Sequence, residues 1–120
     1  YFTGKNIENS LLEAPAVKFD KNDILHERYL EKYFDIDGRD VPFHIVPSVR
    51  GFKKFVMKGY GYALIPKIDI LDELKSGKLI SLQKNKVWKI PLYWHYWDIR
   101  SEVYLKFNLS VISYIKKRLL

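Results

Sequence analysis

Apolar residues along the chain follow two rhythms: short unbroken runs of three or four, and longer stretches in which they recur every three or four positions. The first rhythm predicts buried strands and the second amphipathic helices. A short helix is expected from Asn6 to Glu13, stopped by Ala14-Pro15, with Ala16-Val17-Lys18-Phe19 following as a strand. Asp20 and Asn22 offer side-chain oxygens to cap the next helix, whose Leu25, Tyr29, Leu30, Tyr33 and Phe34 share one side before Asp35-Ile36-Asp37-Gly38 ends it. Phe43-His44-Ile45-Val46 reads as a second strand, and Ser48 as the N-cap of a helix striped by Val49, Phe52 and Val56, with Gly59 at its end. Tyr62 to Ile65 is a third strand closed by Pro66, which opens a helix running to Leu74 and ended by Gly77. Strands are expected again at Leu79 to Leu82 and Ile90 to Trp97. Ser101 then caps a final helix to Leu120, with Tyr104, Phe107, Val111, Tyr114 and Ile115 along one stripe. The order βαβαβ, with strands too apolar to face water, predicts an α/β fold whose mostly parallel sheet is flanked by helices on both faces.

That order also says where to look for function, because ligands of open α/β sheets sit outside the carboxyl ends of the strands. Here those ends are Phe19-Asp20, Val46-Pro47-Ser48 and Ile65-Pro66. Two of them lead into helix N-termini, whose free N–H groups and positive dipole end can hold a carboxylate. Asp20 and Asp23 admit two readings. One makes them a helix cap and a first-turn acid; the other makes them the recognition point for a cationic ligand group through charge-assisted hydrogen bonds.

Composition narrows the classes. With 48% hydrophobic and 16% aromatic residues among 120, the chain can bury a core and is no disordered segment. No apolar stretch approaches the roughly 20 residues of a membrane span, and Tyr1-Phe2-Thr3-Gly4 has neither a starting Met nor the layout of a signal peptide, so the sequence is expected to begin inside a larger protein. The absence of cysteine removes disulfides, thiolate chemistry and iron–sulfur clusters, and His26, His44 and His95 are too scattered to announce a metal site. The net charge of +7 fits contact with nucleic acid or acidic partners, and equally a lysine-rich solvated surface, since Lys116-Lys117-Arg118 is the one basic run. Gly59-Tyr60-Gly61 lacks the third glycine and the strand-to-helix context of a dinucleotide fingerprint, and no nucleophile elbow surrounds Ser48. Tyr93-Trp94-His95-Tyr96-Trp97 is either a strand covered on both faces or a stacking platform for bases.

The segments Ala14-Pro15-Ala16-Val17-Lys18-Phe19-Asp20 with Asp23 and His26, Ile45-Val46-Pro47-Ser48 with Phe52, Ile65-Pro66, Glu73-Leu74 with Ser76-Gly77 and Leu79-Ile80, and Leu92-Tyr93-Trp94-His95 together resemble the effector-binding domain of LysR-type transcriptional regulators. Within that superfamily they are similar to the ArgP group, also called LysG or the chromosome initiation inhibitor. The resemblance implies a two-lobed fold like type 2 periplasmic binding proteins, with the effector in the interlobe cleft and a winged helix-turn-helix, N-terminal to this segment, reading DNA. Residues 1–90 would be the second lobe, and 91–120 a crossover strand and helix returning to a first lobe. By position, Pro47, Ser48 and Val49 correspond to the cleft-lining turn that holds effector carboxylates, Asp20 and Asp23 fall where a cationic end is met, and Trp94 and His95 lie near the hinge. The group's effectors are lysine and arginine. Where its members carry Ser-Ser-Glu, this chain has Ser48-Val49-Arg50, a lost hydroxyl and a reversed charge that could favour a more acidic ligand. The implied protein is a cytoplasmic, homo-oligomeric regulator without enzymatic activity, cofactor or membrane attachment. A free-standing solute-binding lobe and a nucleic-acid-binding module are the alternatives from other classes.

Overall fold

Two three-residue strands, β1 (Ala16–Lys18) and β2 (Phe43–Ile45), pair in parallel in a computed structural model of the chain, which describes residues 1–4 and 6–119. Ala16 stands beside Phe43, Val17 beside His44 and Lys18 beside Ile45, and the ladder is extended by Ala16 N–H donating to Pro42 O and Val46 N–H to Lys18 O. On the other side of β1, Val17 N–H donates to Tyr62 O and Tyr62 N–H to Pro15 O. Gly61 permits this approach, since a Cβ there would stand 2.4 Å from Pro15 O.

The expected third strand, Tyr62 to Ile65, is thereby reduced to a single bridge at Tyr62. Phe19 has the same parity along β1 as Val17, so its N–H would be the next donor toward this strand. It donates instead to the Asp23 carboxylate, at 3.3 Å, and the ladder stops.

The helices follow their local signals. Helix α1 (Ile7–Glu13) starts where Asn6 Oδ1 accepts from Glu8 N–H and ends at extended Ala14 before Pro15. Helix α2 (Leu25–Phe34) turns Leu30 and Phe34 inward, and these pack with Leu11, Ala14, Ala16, Ile36, Val41 and Tyr62 as the core of this part of the chain. The Tyr62 hydroxyl is satisfied by Leu11 O at 3.0 Å. Helix α3 (Val49–Met57) is capped by Ser48 and followed by Gly59 at φ +77°. The helix expected from Pro66 to Leu74 is broken at Ile70 into a 3₁₀ turn, Lys67–Asp69, and helix α4 (Leu71–Lys75).

Three further expectations differ from the structure. Neither Asp20 nor Asn22 caps α2, whose N-cap is Ile24; the Asp23 carboxylate takes the Leu25 N–H. Leu79 to Leu82 and Ile90 to Trp97 form no strand among the described residues: a ladder needs a neighbour to exchange hydrogen bonds, and Ile80, Leu92, Tyr93 and Trp97 are exposed instead. All three residues of β2 are exposed, and the centroid of the His44 ring lies 5.3 Å from that of Phe55 on α3. The stretch before Trp88 is held by side chains: Tyr29 Oη donates to Lys86 O, Tyr33 Oη to Val87 O, and Lys86 Nζ returns to Tyr33 O.

The chain divides into two units, Tyr1–Trp88 and Lys89–Leu120, with Leu120, the end expected for the last helix and for the 91–120 segment, outside the described residues. In the second unit, helix α5 (Glu102–Leu119) begins at Ser101, whose Oγ accepts from Tyr104 N–H, and its basic residues Lys116, Lys117 and Arg118 sit in the last turn, where the dipole favours cations. Trp94 Nε1 donates to Asn108 Oδ1, and Trp97 N–H donates to Tyr104 Oη. Tyr93, Trp97, Val103, Phe107 and Tyr114 are exposed.

His26 is buried on α2 against the Tyr62 ring, with no hydrogen-bond partner on either nitrogen among the described residues. Burial, reinforced by the Lys18 ammonium and opposed by Asp23 and Glu27, pushes the imidazole down from 6.5 to about 4. A folded-state value below the unfolded one means that the proton prefers the unfolded chain. Stability is therefore full above about pH 6.5 and falls as the pH drops toward 4, by about 3 kcal/mol in all. Thermal melts between pH 7 and 4 should show this loss, and His26→Phe should flatten that part of the profile.

Candidate functional site

The parallel pairing aims the exits of β1 and β2 the same way. Residues 19–24 leave β1 for α2, residues 46–48 leave β2 for α3, and the two turns begin from neighbouring strand ends joined by the Val46 N–H to Lys18 O bond of 2.9 Å. Asp20, Asp23, Pro47, Ser48 and Val49 are thus gathered at one end of the sheet. Trp94 and His95 are exposed residues of the second unit.

At the second turn Ser48 is extended, with φ −152°, and its Oγ accepts from Gly51 N–H at 3.1 Å. Its carbonyl accepts the first helical bond, from Phe52 N–H at 2.7 Å. The Val49 and Arg50 N–H groups precede the helical ladder and have no partner among the described residues, the arrangement that receives an anion at a helix start. Pro47, Ser48, Val49 and Arg50 are all exposed, so the turn is open. Arg50 adds a cation beside it.

At the first turn the two carboxylates do different work. Asp23 spends both oxygens on backbone, Oδ1 accepting from Leu25 N–H at 3.2 Å and Oδ2 from Phe19 N–H at 3.3 Å. Asp20 uses Oδ1 alone, accepting from Asn22 N–H at 2.6 Å, and is exposed. Asp23 therefore shapes the turn, while Asp20 Oδ2 has no partner among the described residues.

Side chains that the sequence reading passed over hold these turns. Lys18, 4% exposed, donates from Nζ to Glu27 Oε1 at 2.7 Å and stands 4.8 Å from the centroid of the Phe43 ring. The available signal was a lysine inside an apolar strand run with an acid in the first turn of the following helix. Lys53 ties α3 to α4 by donating to Glu73 Oε1 at 2.6 Å and Asp69 O at 3.3 Å, and its hydrogen bond holds the Glu73 carboxyl below the usual carboxylate range. Two shallow grooves lie elsewhere, one lined by His44, Phe55 and Tyr60, the other by Glu27, Glu31 and Asp37. Among the described residues no three His, Cys, Asp or Glu are gathered as metal ligands, and no helix is long and apolar enough to cross a membrane.

No protein-family model matches the chain. Among curated proteins it is 34% identical over 116 residues to the HTH-type transcriptional regulator ArgP of Vibrio cholerae, covering 97% of this chain and 39% of that protein. It is 37% identical over 117 residues to ArgP of Proteus mirabilis, covering 98% and 39%. The chain thus spans about two fifths of the length of the curated relatives it matches. Among solved structures, ArgP from Mycobacterium tuberculosis superposes with a TM-score of 0.79 at 22% identity, over 88% of this chain and 36% of that one, a likeness of fold. Full-length LysG from Corynebacterium glutamicum with bound effector Arg gives 0.68 at 29% identity, over 85% and 35%. The α/β fold is that of a LysR-type effector-binding domain.

The division of labour at the two turns has a measurable signature in stability. Ser48→Ala and Asp23→Ala should each lower the unfolding free energy in urea by about 0.5–2 kcal/mol, the usual worth of a helix-start acceptor. Asp20→Ala should cost less than either, and the reverse order would show that the turn is built around Asp20.

Proposed function

Across the segment it spans, the chain is homologous to the ArgP group of LysR-type transcriptional regulators, and we propose that it is the effector-sensing lobe of an amino-acid-responsive regulator of transcription. The observation that supports this most directly is the convergence of two turns of opposite chemistry on one sheet end: amides and a hydroxyl at Ser48, a carboxylate at Asp20. An amino acid with a basic side chain presents the complementary pair. Its carboxylate is received by Ser48 and by the Val49 and Arg50 N–H groups, with Pro47 shaping the approach. Asp20 meets the cationic end, and Asp23 keeps Asp20 in place by fixing the turn.

The effector is arginine in the first instance. LysG, which shares 29% of its residues with this chain over the matched region, was solved with that effector bound. The Arg50 cation beside the carboxylate turn adds to the hold on the acid group. Residues 1–90 serve as the second lobe and 91–120 as the segment that returns to a first lobe, with Trp94 and His95 as its candidate ligand-binding residues. DNA is read by a helix-turn-helix in the portion of the relatives that this chain does not match. The working molecule is a cytoplasmic homo-oligomer that binds its ligand and transforms nothing.

Titration calorimetry on the intact protein tests this reading. Arginine should bind, and Asp20→Asn should weaken it by about 1.5–3 kcal/mol, the worth of a hydrogen bond to a charged group. Equal affinity of Asp20→Asn and parent would remove the cationic-end role. In a band-shift near 0.15 M salt, the physiological value, the 120 residues alone should retain duplex DNA weakly and without operator preference; operator-specific retention would place base reading within this chain.

A further inference from the structure

Lys18 ends β1 as a residue only 4% exposed, and among the described residues its ammonium has one anionic partner, Glu27 Oε1 at 2.7 Å. The Phe43 ring centroid stands 4.8 Å from it. Glu27 keeps its side chain 32% exposed. The backbone at Gly38 lies directly behind it, so close that a Cβ on Gly38 would stand 2.5 Å from Glu27 Cα and 2.7 Å from its Cγ.

The ammonium is thus pinned between the first turn of α2 and the first residue of β2. Those are the two elements whose turns carry the site. Residues 19–24 run from Lys18 to α2, so the Lys18–Glu27 pair closes them into a loop, inside which Asp23 holds the Phe19 and Leu25 N–H groups and Asp20 the Asn22 N–H. Phe43 opens the strand that leads to Ser48.

As a stabilising device the pair is a poor choice, because the Lys18 ammonium is buried while the Glu27 side chain is 32% exposed, an arrangement that desolvates one charge and leaves the other partly screened, and Ala16 and Val17 beside Lys18 are apolar. What an apolar residue would not supply is a directional bond from β1 to α2. We propose that Lys18, through Glu27 and Phe43, is a positioning residue that sets the Asp20 and Ser48 turns at the spacing a bound amino acid requires. This rests on the effector reading above.

The test compares the intact parent protein with Lys18→Met, Lys18→Met/Glu27→Gln and Asp20→Asn in three measurements: melting temperature, hydrogen exchange at the Asn22, Asp23 and Leu25 amides without ligand, and calorimetry with arginine. Lys18→Met leaves Glu27 without its partner and should melt lower. The double variant holds no unpaired charge and should melt close to the parent. It should nevertheless exchange the three amides about tenfold faster and bind arginine about tenfold more weakly. A purely stabilising pair would recover affinity together with melting temperature. Parent-like exchange, or parent-like arginine affinity in the double variant while Asp20→Asn is weakened, would overturn the positioning role and leave the effector reading intact. Arginine binding unaffected by Asp20→Asn would overturn the effector reading itself, and the positioning role with it. Should the double variant fail to fold, Gly38→Ala displaces Glu27 without changing any charge and should weaken arginine as well; unchanged binding there counts against the proposal.

Discussion

Three parallel residue pairs, from Ala16 beside Phe43 to Lys18 beside Ile45, constrain almost everything else in the first unit. Parallel neighbours cannot be joined by a tight turn, so the chain must travel back along the sheet before the second strand begins, and it does so through α2. That return deposits Leu30 and Phe34 on the sheet and supplies the core it needs. It also forces both strands to exit at the same end. An antiparallel pair would have sent one turn to each end, and the Ser48 amides and the Asp20 carboxylate would not share a border.

A ladder so short leaves much to side chains. Two strands are marginal by themselves, and here the packing of α1 and α2 is supplemented by directional bonds: Lys18 to Glu27, Lys53 to Glu73, Tyr62 to Leu11 O. Each joins one element to another. His26 is the exception inside this arrangement, buried with both ring nitrogens unpaired among the described residues. Its neutral form is what burial and Lys18 impose.

Local signals were legible in the sequence and long-range ones were not, for a physical reason. Asn6, Ser48 and Ser101 act within three residues of themselves, so their roles as helix starts follow from spacing. Gly59 marks its turn for the same reason. The roles of Asp20 and Asp23 hinge on where the Phe19 N–H goes, which depends on how far β1 pairs, and no local pattern contains that. The runs Leu79 to Leu82 and Ile90 to Trp97 look like strands because they are apolar, but pairing and burial are both properties of two segments, and Ile80, Leu92 and Trp97 are exposed. Of the candidate site, the Ser48 turn was legible from a strand, a proline and a capping serine in succession. The lysine and glutamate behind it meet only once α2 is folded onto β1.

The stretch before Trp88 is fastened by its backbone, which bears on the substitutions it can accept. The Tyr29 and Tyr33 hydroxyls grip the carbonyl oxygens of Lys86 and Val87, atoms that every amino acid possesses. At Val87, which adds no side-chain hydrogen bond to the latch, the genetic code is free to drift without loosening it. A codon inserted between Lys86 and Val87 themselves would instead shift one carbonyl out of register with its hydroxyl. The stretch is thus permissive toward substitution and intolerant of changes in length, the opposite of what an irregular surface segment ordinarily allows.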